Sequence, residues 1–452
     1  MTENTRTTDV TIVGDSPSAL AAALDFAEVG LAVTLVVPET DAPVAADWPS
    51  AAVRDTDGAV SALITRIATA IHPDNPNHDE LAPQTHTGIG EFVVGKNGQV
   101  GQIPEPNMLG IPGVPLNETV IALAGGSAAF RGYLDRLAPV LKIGKERSLW
   151  RLASVRMGEE FARVFVRPHL AARYGVAPEV IEVAAAAPGL NEAVSRAGSL
   201  SGGVLATADR WQEYETLVAP AAGWEALRTA ALARLELYQA EILTGQVTSL
   251  SGEDDVWETV CGEVVVQSRA LGVDRGFRHR PETGHPDEVF PKWQRTVLTA
   301  PVTSDHTVEL PPYSVFTLAA VTGLPDHAAV QVKRLGEQLV AELKLPRETV
   351  TFEGGSVAEM VRDETVAAAE KALAAHGFTA AEPWRSRTEA AAFATLEELR
   401  AGYAQLEHAG QRQPMLLQTG AARYGGDLGA ALSHLTDRTG AMRRVLTGIT
   451  DK

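Results

Sequence analysis

The chain has 452 residues, 45% of them hydrophobic, with one cysteine and a formal net charge of -18 at pH 7. That length suffices for two or three domains with full-sized cores, while the acidic balance argues against nucleic acid or an anionic membrane surface as the main partner, since both reward clustered Lys and Arg. The lone Cys261 excludes an intramolecular disulfide and a cysteine-based zinc site, and the absence of a signal-type apolar segment or of any apolar run near ~20 residues leads us to expect a protein without a membrane span, in the cytoplasm.

Residues 9–13 form a short β-rich run, 17–28 have helical spacing with Ala and Leu on one side, and 33–37 are a second β-branched run. The chain therefore opens as βαβ. In a dinucleotide-binding unit the intervening turn carries G-x-G-x-x-G, with the first glycine for the bend, the second for close approach of the pyrophosphate and the third for helix packing. Here the turn reads Gly14, Asp15, Ser16, Pro17, Ser18, Ala19. Gly14 keeps the bend and Ala19 is an accepted third residue, but Ser16 puts a Cβ where the pyrophosphate would lie, and Asp15 adds negative charge beside the helix N-terminus. The acid expected after the second strand to hold a ribose hydroxyl is replaced by Val37, with Glu39 two residues late. A modified nucleotide site and a lapsed one are equally compatible with these residues.

A Pro-containing loop leads to a helix expected over 58–71. The turn-rich stretch after it holds His72, His78 and His86, whose spacing matches no metal-ligand frame, so we expect a solvated loop and no metal. Residues 91–100 read as a hairpin turning at Asn97-Gly98, and the Pro-rich 102–116 as a domain crossing. From 120 to 235 the spacing is helical. β periodicity returns over 241–250, 256–266 and 295–301. Between 310 and 355 strands mix with one amphipathic helix, VQVKRLGEQLVAEL, and helices are expected over 356–376 and around 388–408. A strand at 415–418 meets a turn at Gly420, and a helix starts between Gly425 and Ala431. Its free N–H groups form a second place for a phosphate or a polarised ring oxygen; a glycine turn closing the sheet explains the same residues.

Together these segments resemble the flavin-dependent porphyrinogen oxidases of haem biosynthesis, the protoporphyrinogen and coproporphyrinogen III oxidase family within the amine-oxidase-like flavoproteins. The resemblance rests on GIGEFVVGKNGQVGQIPEPNMLGIPGVPL (88–116), on RMGEEFARVFVRPHLAARYG (156–175), on the Gly-x-x-x-Leu helix and following strand (222–250), and on Thr299-Ala300-Pro301 as a strand end. Gly425, Gly429, Ala430 and Ser433 match the group's closing G-x-x-x-G-A-x-x-S-G, with His434 for its last glycine.

The resemblance implies an α/β fold: a discontinuous Rossmann-like FAD/NAD(P)-binding domain (1–60, 236–305, 410–452), an interleaved α+β substrate domain (85–118, 306–409) and an inserted helical domain (119–235). It implies FAD held by Gly14, Ser16, Pro17, Ser18, Ala19, Glu39, Val247, Gly420, Gly425, Gly429, Ala430 and Ala431, with Val247 beside the adenine. In that chemistry the flavin removes hydride equivalents from a porphyrinogen and O₂ reoxidises it, so few side chains act as acids or bases, and no catalytic residue is singled out. Arg173 and Tyr174 match a turn that the family places near its helical domain and are candidate substrate-binding residues, although packing explains them about as well. Arg278 and Arg280, with Arg275 and His279, form a basic cluster that could meet substrate propionates, although a solvated loop is the commoner cause of such a run. Asp305-His306 reads as surface loop. Besides Ser16 and Val37, the family's Arg-x-Gly-Gly segment after the second strand has no counterpart, and all three departures fall on one half of the FAD site. Two functions are therefore carried forward: a FAD-dependent porphyrinogen oxidase, and a non-catalytic homologue whose flavin site has lapsed and which binds a porphyrin, another ligand or a protein partner in haem biosynthesis.

Overall fold

The computed structural model describes residues 4–37, 48–49, 51–72, 78–138, 146–253, 256–274, 293–349, 363–381 and 383–449. Glu39 and the cluster of Arg275, Arg278, His279 and Arg280 lie outside the described residues. The chain divides into two compact units. Unit 1 comprises Met1–Thr85, Thr216–Pro291 and Ala401–Lys452, and unit 2 comprises His86–Glu215 and Lys292–Arg400.

Unit 1 opens with strand β1 (Asn4–Val13), helix α1 (Pro17–Ala27) and strand β2 (Val33–Val37). β2 lies parallel to β1, pairing Val10 with Val33 and Val13 with Val36. Strand Val264–Val273 lies parallel on the other side of β1, Glu241–Thr244 extends the sheet beyond β2, and Leu416–Gln418 joins parallel to the end of Val264–Val273. The remaining two strands, Val247–Glu253 and Val256–Cys261, form an antiparallel meander with Val264–Val273. β2 is buried at all five positions, as the near-continuous apolar run of a sheet covered on both faces requires. Helix α2 (Ala59–Ala68) turns Val60, Leu63, Ile64 and Ile67 inward at helical spacing. They share one core with Leu227 and Leu235 of helix Trp224–Leu237 and with Leu432 and Met442 of the closing helix Leu428–Leu446. Each such buried side chain contributes about 1.5–3 kcal/mol, which is why 61–85 and 216–235 belong to this unit.

Unit 2 joins a sheet, nine-stranded among the described residues, to a helical half. The sheet order is Glu348–Thr349, Trp293–Ser304, Gln338–Lys344, Ala329–Leu335, Ser314–Ala319, Gly90–Val94, Val100–Gln102. Phe378–Ala380 and Arg385–Ala390 also pair with Trp293–Ser304. The helical half is built around Leu149–Met157 and Glu159–Tyr174, whose Leu152, Phe161, Phe165 and Leu170 lie in one apolar cluster with Val93, Ile111 and Leu190. That cluster includes the strand residues Val93 and Ile111, and helices and sheet fall in one compact unit.

Four sequence expectations are corrected. The segment VQVKRLGEQLVAEL is a hairpin, Ala329–Leu335 and Gln338–Lys344, turning at Gly336 with φ 62. Alternation by two wins over helical spacing here, since Val330, Val332, Ala341 and Leu343 all enter the sheet's apolar core. Residues 388–390 are strand, and the helix that follows is Leu396–Arg412. The Pro-rich stretch is no domain crossing, because Ile103, Met108 and Ile111 are buried in unit 2. Finally, Thr299-Ala300-Pro301 sits mid-strand in the unit 2 sheet. The strand end beside β1 is Gly272-Val273-Asp274 instead, with the Asp274 N–H donating to the Val13 carbonyl at 2.8 Å.

Candidate functional site

The turn between β1 and α1 stands at the end of the parallel sheet, where the N–H groups of the first helical turn have no partner within the helix. An anion normally finds its seat there. In this chain the turn supplies its own acceptors. The Ser16 N–H donates to Asp274 Oδ2 at 2.9 Å, and the Ser16 hydroxyl accepts from the Ala19 N–H at 3.2 Å as the helix N-cap. Gly14 makes this possible. Its φ is +119, and a Cβ added there would lie 2.2 Å from Asp274 Cβ, so only glycine lets the carboxylate approach.

Further groups seal the turn. Ser18 Oγ lies 3.1 Å from Ser16 Oγ and accepts from the Gly420 N–H at 2.8 Å. Trp48 donates its indole N–H to the Asp15 carbonyl at 2.8 Å and stands tilted against Trp224, with centroids 6.3 Å apart. Asp15 points into a charge pair with Arg228, whose Nε lies 2.7 Å from Asp15 Oδ2. Asp15, Ser16, Ser18 and Asp274 are all under 5% exposed, so the turn presents little surface to any ligand.

The second helix N-terminus is filled in the same manner. Asp427 caps the closing helix, accepting from the Ala430 N–H at 3.0 Å, and Arg54 approaches the same carboxylate at 4.0 Å. Gly429 packs near the Arg54 carbonyl, and Ala431 is buried. Gly425 sits in the left-handed region at the end of the short helical turn Ala421–Tyr424. Within that turn Tyr424 meets His434, the residue that replaces the last glycine of the closing motif, with the hydroxyl 2.6 Å from Nδ1. Val247 begins its strand inside a small apolar cluster with Val13, Val36 and Leu271.

Protein-family profiles return no match to this chain, and curated sequences return none either. Solved structures do match along its whole length. A provisionally assigned protoporphyrinogen oxidase from Exiguobacterium sp. 255-15 superposes with a TM-score of 0.65 at 15% identity, covering 96% of this chain and 98% of its own. A reduced UDP-galactopyranose mutase gives 0.59 at 12% identity over 98% and 95%. Cyclohexylamine oxidase from Brevibacterium oxydans IH-35A gives 0.55 at 12% identity over 97% and 99%. The chain has the fold of the FAD-dependent amine-oxidase-like proteins. Identities this low establish the architecture alone.

Of the residues expected to hold a cofactor, Gly14, Ser16, Pro17, Ser18 and Ala19 come together with Gly420, while Gly429, Ala430 and Ala431 form the first turn of the closing helix. In unit 2 Arg173 is paired with Glu215 at 2.8 Å, and Tyr174 is 2% exposed within the helical core. His78 is exposed beside Glu80 Oε1 at 3.0 Å, and His86 stacks on Tyr313 at 3.6 Å. Asp305 is exposed, with Oδ1 accepting from the Thr307 N–H at 2.8 Å, as a surface turn requires. Sequence reasoning missed Asp274, Arg228, Trp48 and Asp427. Only Asp427 carried a readable signal, an Asp just ahead of an apolar helix start.

Proposed function

We propose that this protein is a non-catalytic homologue of the porphyrinogen-oxidase-like flavoproteins, its dinucleotide turn closed by its own side chains and its fold retained to bind a ligand. The observation that carries the reading is the Asp274 carboxylate 2.9 Å from the Ser16 N–H, where a pyrophosphate oxygen would otherwise rest. Flavin would have to displace a buried carboxylate or stand beside it. Two like charges 4 Å apart repel by about 4 kcal/mol at an effective dielectric constant of 20, more than one unfavourable Cβ at Ser16 would cost alone. Asp427 at the other helix N-terminus acts in the same direction. FAD therefore does not fit the residues present, and no redox step is assigned.

The second reading, a FAD-dependent oxidase acting on a tetrapyrrole precursor of the coproporphyrinogen III type, draws support from the full-length likeness to the Exiguobacterium protein. An absorption spectrum of the purified protein, followed by fluorescence titrations with FAD and with coproporphyrin III, separates the two. We expect no flavin bands, no saturable FAD binding, and a saturable shift of the porphyrin Soret band. Yellow protein carrying one FAD per chain would return the oxidase to first place. The proposed setting is the cytoplasm; among the described residues no helix is long and apolar enough to cross a membrane.

A further inference from the structure

Among the described residues, one face of the unit 2 sheet gathers a cluster of charged side chains from four neighbouring strands. Antiparallel register sets Arg295 opposite Glu389, Val297 opposite both Lys344 and Arg387, and Gln331 opposite Glu342. Because side chains alternate by two, Arg295, Lys333, Glu342, Lys344, Arg387 and Glu389 all project to the same side. The opposite side carries Leu298, Val330, Val332, Ala341 and Leu343 into the apolar core.

Within the cluster Glu342 Oε2 lies 2.7 Å from Lys333 Nζ and 3.2 Å from Lys344 Nζ, and its Oε1 lies 3.5 Å from Arg387. Glu389 pairs with Arg387 and, at 3.7 Å, with Arg295. Arg295 also donates to the Ala172 carbonyl at 2.6 Å, in the last turns of helix Glu159–Tyr174, where the helix dipole offsets part of its charge. The set is enclosed. Glu342 is 1% exposed, Arg295 7% and Lys344 9%, while Lys333, Arg387 and Glu389 are less buried.

Four cations thus meet two carboxylates. Arg385, two residues before Arg387 on the same strand, projects to the same side at the strand's exposed end; of the other charged groups on the packed elements, His169 is paired with Glu91, Arg173 with Glu215 and Arg347 with Glu398. Among the described residues Arg295 Nε and Arg387 Nε are buried and have no hydrogen-bond acceptor. Uncompensated buried charge is costly, and a protein retains it where something else supplies the balance. Burial, and then repulsion from Lys333, push the Lys344 ammonium down to about 7.

We infer that this sheet face is a binding site for the carboxylate group of a small organic anion, which provides the negative charge that Arg295, Lys333, Lys344 and Arg387 lack. The site lies wholly in unit 2, and its occupancy is independent of whether the unit 1 turn accepts flavin. A bound carboxylate favours the charged form of Lys344, so binding takes up a proton at pH 8.5 and weakens as pH rises above neutrality.

Isothermal titration of the full-length protein with glutarate at pH 6.5 and 8.5, in two buffers of different ionisation enthalpy, tests this. The parent should bind saturably with proton uptake at pH 8.5. Lys344→Met should lose the uptake and about tenfold in affinity, equivalent to 1.4 kcal/mol. It removes a repelled cation and so should fold. Lys333→Gln, at the accessible rim, should lower affinity by a similar factor and provides the check if Lys344→Met does not fold. Absence of saturable binding, affinities unchanged in the folded variants, or tighter binding of inorganic phosphate than of glutarate would each overturn the assignment.

Discussion

Replacing Asp274 with alanine is expected to lower stability by about 2–3 kcal/mol and, at the same time, to make the turn receptive to inorganic pyrophosphate. The loss follows from burial. The Ser16 N–H is inside the protein, and its acceptor is a charged oxygen at 2.9 Å. Removing that oxygen leaves a buried donor without a partner, which costs more than the hydrogen bond was worth. The gain follows from the geometry of α1, whose N-terminal donors would again face an empty seat with a favourable dipole. Thermal unfolding with and without pyrophosphate reads both effects: the variant should melt several degrees below the parent and recover part of that loss with the anion. Asp274→Asn, which keeps an acceptor oxygen, should fall between. Equal melting temperatures, or equal stabilisation of parent and variant by pyrophosphate, would mean that Asp274 is not the group closing the turn.

Stability should rise with pH between about 7 and the ordinary lysine range near 10.5, and this rise should be absent in Lys344→Met. The sign comes from proton counting. With the folded value depressed and the unfolded one ordinary, the unfolded chain binds more protons throughout that window, so raising the pH favours the folded state. Below 7 both states carry the proton and the destabilisation is constant; above the unfolded value neither does and it vanishes. A shift of this size corresponds to on the order of 5 kcal/mol across the window. The measurement is the difference in urea-unfolding free energy between parent and Lys344→Met at pH 6.5, 8 and 9.5, which cancels the contributions of all other groups. A pH-independent difference would show that Lys344 keeps its proton in the folded state.

The opening βαβ was legible because its elements are local. β-branched runs, an Ala/Leu helix and a turn beginning with glycine lie within forty residues, and the structure places α1 and β2 within about one residue of the expected bounds, while β1 ends at Val13 as expected but begins at Asn4, ahead of the expected Asp9. The hairpin at Asn97-Gly98 was legible for the same reason, with Phe92 opposite Gln102 and Val94 opposite Val100. What closes the turn was not legible, since Asp274 and Ser16 are 258 residues apart and nothing in VVVQSRALGVD marks its last residue as an acceptor. The charged sheet face was hidden by a conflict of periods. VQVKRLGEQLVAEL satisfies helical spacing well enough to be taken for a helix, which scatters Lys333 and Glu342 around a cylinder and leaves Lys344 beyond its end. As a hairpin the same residues fall on one side of a sheet.

The sheet of unit 1 draws on both ends of the chain, and this sets an order of events during synthesis. Leu271 to Val273 hydrogen-bond on one side to β1 and on the other to Leu416–Gln418. While the ribosome is still making unit 2, that second side has no partner, and the apolar face destined for Leu432, Leu435 and Met442 is uncovered. An open strand edge beside bare core surface is the arrangement most prone to pairing with another chain. Unit 2 has all of its residues by Arg400, whereas unit 1 must wait for the closing helix. The segment that carries Leu416–Gln418 and the closing helix is thus also the segment that covers this open edge and bare core surface.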